Sequence, residues 1–147
     1  MSDTKNFTDE EREAMKAAAA EKKTARSRAK KSPEEVRAEG EADLKASLEK
    51  LTDADRAIAE GLHELVTEAA PHLVPRTYYG MPAWAKEGKV LCFFQPASKF
   101  KTRYGTFGFE QPAALDDGTL WPTAYAVLEL DDANRAFLSE RVRLAAG

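Results

Sequence analysis

From Lys89 to Phe109 the chain reads KVLCFFQPASKFKTRYGTFGF, and the fold turns on how this stretch is read. Five consecutive apolar residues, Val90 to Phe94, are too few for an ordinary helix. They are rich in the aromatic and branched side chains that suit a pleated surface, which predicts a buried strand. Gln95-Pro96-Ala97-Ser98 is turn chemistry. A second strand is then expected from Lys99 to Phe109. Alternation along it puts Lys99, Lys101 and Arg103 on one face, with Phe100, Thr102 and Tyr104 on the other. Phe107 and Phe109 continue the parity of the cations, so Gly105 reads as a bulge that swaps the faces.

Immediately upstream, Lys86-Glu87-Gly88 reads as a hairpin turn. Thr77 to Ala85 reads as one strand, in which Gly80 and Pro82 mark a bulge or an edge. Downstream, Gln111 to Leu115 has room for one helical turn, Asp116-Asp117-Gly118 is a loop, and Pro122 to Leu130 gives a further strand. Asp131 caps a last helix reaching about Ala145, with Phe137, Leu138, Val142 and Leu144 as its expected buried side.

Helices come first in the chain. Thr8-Asp9-Glu10-Glu11 is a capping box that opens a helix from Asp9 to about Thr24. Met15 is its only large apolar residue, so it has little to bury and is expected to be loosely attached. Lys22 to Lys31 holds six cations and no acid and reads as a solvated linker. Ser32-Pro33-Glu34-Glu35 starts a second helix, with Val36, Leu44, Leu48 and Leu51 as apolar positions and Gly40 weakening it. Thr52 caps a third, Asp53 to Ala70, whose Ile58, Leu62, Leu65, Val66 and Ala69 form a 3.6-residue stripe that must face a core. Helices, a strand meander and a closing helix predict an α+β fold: an antiparallel four-stranded sheet packed on one face by helices, with an N-terminal helical extension. The expected division is residues 1–40 as extension and basic linker and 41–147 as the α+β domain.

The 147 residues suffice for one core, and the net charge of −3 favours neither nucleic acid nor an acidic partner. The basic stretch has no interleaved aromatics, which makes nucleic acid an unfavoured partner. One cysteine, Cys92, allows no intrachain disulfide, and a reducing cytoplasm fits. The opening MSDTKNFTDEE lacks the apolar region of a signal peptide, and no stretch approaches the roughly 20 apolar residues that span a bilayer. A cytoplasmic protein with no membrane partner is expected.

Three segments together carry a resemblance: Tyr79-Gly80-Met81-Pro82-Ala83-Trp84, then Cys92 to Arg103 (CFFQPASKFKTR), then Leu115-Asp116-Asp117-Gly118 through Trp121-Pro122-Thr123-Ala124-Tyr125. The combination resembles the YdhG-like family of domains of unknown function, over roughly residues 45–145. Phe7-Thr8-Asp9-Glu10-Glu11 looks like an extension carried by some members. The family is similar to frataxin in fold, and some members are described as iron chaperones. The resemblance therefore implies a frataxin-like sheet and iron as a possible cargo, while fold alone does not fix function.

Two candidate sites follow. On the third helix Glu60, Glu64 and Glu68 stack four residues apart beside His63, and oxygen donors with an imidazole suit iron. Glu60, His63 and Glu64 are the candidate metal ligands. The plainer reading is a solvated face on which Arg56 pairs with Glu60. The second site joins Lys99, Lys101 and Arg103 to the aromatics Tyr79, Trp84 and Trp121 as a basic, aromatic sheet-face pocket for a small molecule or anion. Its plainer reading is an exposed sheet face with ordinary aromatic packing. Cys92, inside an apolar strand, should be inert. No catalytic motif is present, so the expected activity is non-catalytic binding, of iron or of another small ligand. A third possibility is an accessory protein whose N-terminal helices recruit a partner.

Overall fold

The computed structural model describes residues 7–147; Met1 to Asn6, the start of the expected extension, lie outside the described residues. Five helices and five strands follow in the order α1 (Asp9–Arg28), α2 (Pro33–Glu49), α3 (Asp53–Ala69), β1 (Val74–Tyr78), β2 (Met81–Lys86), β3 (Lys89–Gln95), α4 (Ala97–Phe100), β4 (Gly105–Phe109), β5 (Ala124–Val127) and α5 (Asp132–Ala146). The strands form one antiparallel meander in the spatial order β1-β2-β3-β4-β5. The sheet has five strands where four are expected. Among the described residues no helix is long and apolar enough to cross a membrane.

The helix starts obey their capping chemistry. Thr8, Ser32, Thr52 and Asp131 each accept an amide three residues on, at Glu11, Glu35, Asp55 and Asn134. The stripe of α3 is buried as its period requires, with Leu62, Leu65 and Val66 at the centre. It meets Leu44 and Leu48 of α2 and Leu138 and Val142 of α5. The sheet side of this core is Trp84, Leu91, Cys92, Phe94, Phe107 and Phe109. Within residues 90–94, Leu91, Cys92 and Phe94 are buried, while Val90 and Phe93 are half-buried. Alternation explains Phe93, which pairs with Ala83 and Gly108 on the face turned away from Trp84 and Phe94; at Val90 and Leu91 it is broken by a bulge, since Trp84 pairs with Cys92 but Ala85 with Val90.

The extra strand comes from a turn. Tyr79 and Gly80 both have positive φ, 52° and 79°, the signature of a two-residue hairpin turn that matches strand twist. A bulky residue at positive φ is disfavoured. Here the Glu21 carboxylate accepts both turn amides, from Tyr79 at 2.8 Å and Gly80 at 3.0 Å. Thr77 to Ala85 is thus two strands, not one interrupted strand. The Glu87-Gly88 turn between β2 and β3 lies where expected, again with two positive φ values.

The stretch after Pro96 is also corrected. Residues 97–100 form the single turn α4, which Lys101 ends in the left-handed conformation at φ 56°. Thr102 N–H returns to Ala97 O at 2.9 Å and Lys101 N–H to Ser98 O at 3.4 Å, the bond pair of a Schellman closure. The buried Asp55 carboxylate accepts the Ser98 amide at 3.0 Å. Strand pairing resumes only at Gly105, so Lys99, Lys101 and Arg103 never share a strand face. Residues 111–115 form no helical turn.

The basic segment is not a linker throughout, because α1 runs on to Arg28. Arg28 reaches Asp43 at 2.6 Å and Glu39 at 3.3 Å, and Lys31 reaches Glu39 at 2.7 Å. α2 continues unbroken across position 40. In α5 the buried residues are Leu138, Val142, Ala145 and Ala146; Phe137 is 52% exposed and Leu144 is exposed as well.

Candidate functional site

α1 stands off from the body of the domain. Its inner face is alanine, and only Ala14 is buried; Met15 points outward. Alanine side chains cannot reach across to α2 and β1, so the gap stays open. Polar clips hold the helix over it: Glu10 to Lys101 at 2.8 Å, Glu21 to the Tyr79-Gly80 amides, and Arg28 to α2. The result is a cleft of about 980 Å³. Its roof is Ala14, Ala17, Ala20 and Ala25, and its other wall includes Val36 and Ala46 of α2 with Val74 and Pro75 of β1. Lining residues run from Glu13 to Ala29 along α1, roughly 24 Å at about 1.5 Å per residue.

Most polar groups on its walls are already engaged. Asp55 accepts Ser98 N–H, Glu21 accepts the two turn amides, Ser47 Oγ donates to Leu44 O, and Arg76 Nε donates to Thr77 O. Two cations differ. Lys99 Nζ, half-buried, donates to Gly80 O at 3.0 Å, and Lys50 lies on the same cleft. Neither has a carboxylate within ion-pair distance among the described residues. Burial, followed by the charge of Lys50, pushes the Lys99 ammonium below its usual range, while Glu13 and Glu21 pull it back.

The expected ligand residues scatter. Tyr79 and Lys99 line the cleft. Lys101 is on the surface, tied to Glu10, and Arg103 stacks its guanidinium on the neighbouring Tyr104 ring. Trp84 is core, 1% exposed, and Trp121 packs against the core elsewhere. The sheet-face pocket is therefore replaced by a cleft along the β1 side of the molecule. What the sequence reading missed is the roof: the Ala-rich α1 and Glu21. The shortage of large apolar residues in α1 was the available signal, since a helix that cannot fill a gap leaves one.

The expected metal ligands also separate. His63 Nδ1 accepts from Trp84 Nε1 at 3.2 Å, so its Nε2 carries the proton donated to Glu41 at 2.9 Å. Glu64 pairs with Arg135 at 2.8 Å, and Glu60 is exposed. Arg56 turns to the Leu48 and Leu51 carbonyls rather than to Glu60. No group of three or more His, Cys, Asp or Glu suited to a metal ion occurs among the described residues. Cys92 is buried and burial alone pushes its thiol far up.

No family model matches this chain, and neither a curated protein nor a solved structure matches it.

Proposed function

We propose that this protein is a non-catalytic binding protein that holds a small molecule in the cleft between α1 and the α2–β1 wall. The observation that carries the reading is the cleft itself: a slot of about 980 Å³ under an alanine-faced helix held by polar clips. That volume suits one small ligand, and apolar walls with few convergent polar groups are the usual make-up of such a site. Of the carboxylates on its walls, Glu21 and Asp55 serve backbone amides and Asp43 pairs with Arg28, which suits binding rather than proton transfer.

Iron as cargo, which the resemblance to the YdhG-like domains implies, has weaker support. Both ring nitrogens of His63 are engaged, and Glu64 is neutralised by Arg135. Native mass spectrometry of freshly purified protein tests the proposal. A small-molecule adduct is expected, and Ala20→Trp, which fills the slot from an exposed helix position, should remove it. An adduct that survives unchanged in Ala20→Trp, or a metal as the sole adduct, would overturn it.

A further inference from the structure

We infer that the occupant is a long-chain carboxylate, its hydrocarbon lying along the alanine slot and its head between Lys50 and Lys99. This rests on the cleft being a ligand site and names what the site selects.

The shape of the slot argues for an extended ligand. Large apolar side chains are few along it; Ala14, Ala17, Ala20 and Ala25 face Val36, Ala46 and Val74 across a long gap. A flexible chain fills such a space with methylene contacts, whereas a compact ring system would leave most of it empty. Apolar area removed from water supplies the affinity.

An extended peptide is the competing shape, and β1 is an edge strand that it would pair with. Several of the backbone groups such a peptide needs are taken. Pro75 has no N–H, and its carbonyl oxygen sits against Gly40 of α2. Thr77 O accepts from Arg76 Nε, and the Tyr79 and Gly80 amides bind Glu21. A hydrocarbon chain asks for no such bonds.

The head is assigned by charge. Lys99 and Lys50 face one cleft without a carboxylate partner among the described residues. Lys99 has only the Gly80 carbonyl as acceptor, and its ammonium is half-buried. A carboxylate there relieves the repulsion between the two cations and completes the hydrogen bonding of a partly desolvated ammonium. Glu13, Glu21, Asp43 and Asp55 also line the slot; Asp43 is paired with Arg28 and Asp55 accepts the Ser98 amide. Glu21 is occupied by the turn amides, while exposed Glu13 lies on the roof and opposes the anion at longer range.

Isothermal titration of the full chain with dodecanoate, dodecan-1-ol and octanoate tests the assignment. Dodecanoate should bind at least tenfold more tightly than the alcohol, and each methylene added to octanoate should tighten binding by up to roughly fourfold. Lys99→Met and Lys50→Met together should erase the preference for the carboxylate and leave the alcohol unaffected. Lys50 is exposed, so Lys50→Met alone keeps the test valid if the double variant folds poorly. Equal affinity for alcohol and acid, or a preference that survives both substitutions, refutes the head assignment while the cleft reading stands. No binding of either, together with no effect of Ala20→Trp, refutes both. Co-sedimentation with phosphatidylglycerol vesicles but no binding of the free acid would assign the cations to a lipid surface and overturn the inference.

Discussion

Gly40 lies mid-way along α2, and local chemistry and tertiary structure give opposite signs for Gly40→Ala. In an isolated helix alanine is better than glycine by about 1 kcal/mol, so the substitution should stabilise. In the fold, a Cβ at position 40 would lie 2.0 Å from Pro75 O and 3.1 Å from Pro75 C. A normal carbon–oxygen contact is about 3.3 Å, so α2 and β1 would have to separate by roughly 1.3 Å. Neither element can yield cheaply. Leu44 and Leu48 anchor α2 in the core, and Arg37 ties it to Leu73 O at 3.1 Å and Pro71 O at 3.2 Å. Overpacking of this kind costs about 1–3 kcal/mol or more, and parting a packed seam by an ångström forfeits dispersion along it. After the propensity gain, a net loss of about 2 kcal/mol is expected. For a chain of this length that lowers Tm by roughly 4–8 °C. Thermal unfolding followed by circular dichroism measures it, with Ala38→Gly at an exposed position of α2 as a pure propensity control, expected to cost about 1 kcal/mol. A Gly40→Ala protein that melts at or above the parent temperature refutes the close approach of α2 to β1.

Glu21→Ala should release the roof: with the two turn amides unpartnered, hydrogen exchange across α1 is expected to quicken about tenfold while Leu62 and Phe94 amides stay protected. His63→Phe strands the Trp84 N–H and should cost about 1–3 kcal/mol in denaturant unfolding at neutral pH. The same variant has a pH signature. The hydrogen bond from His63 holds the Glu41 carboxyl below its ordinary range. A depressed carboxyl stabilises the fold above its unfolded value, and that contribution fades as pH falls through the folded value. The stability gap between parent and His63→Phe should therefore narrow in acid below the ordinary carboxylate range; a constant gap would contradict the pairing. Cys92, buried with its thiol pushed up, should resist a thiol reagent in the native protein and react only as fast as the fold opens.

Local chemistry determined much of this molecule. Caps at Thr8, Ser32, Thr52 and Asp131 satisfy amides three residues away, and the α3 stripe repeats with the helix, so neither needs distant residues to be recognised. The apolar run at 90–94 and the Glu87-Gly88 turn are legible for the same reason. What the tertiary structure alone decided are the places where a distant side chain overrides a local pattern. Alternating cations at 99, 101 and 103 look like a strand, yet Asp55 accepts the Ser98 amide and the chain closes into a turn. Gly80 and Pro82 read as a bulge or an edge within one strand, yet a carboxylate 58 residues before Tyr79 binds the Tyr79 and Gly80 amides and makes a hairpin. Glu60, His63 and Glu64 look like ligands because helical spacing is local, but their partners Glu41, Trp84 and Arg135 come from three other elements. The cleft belongs to this second class: alanines leave a void only when polar clips from elsewhere hold their helix at a distance, and no window of sequence contains both.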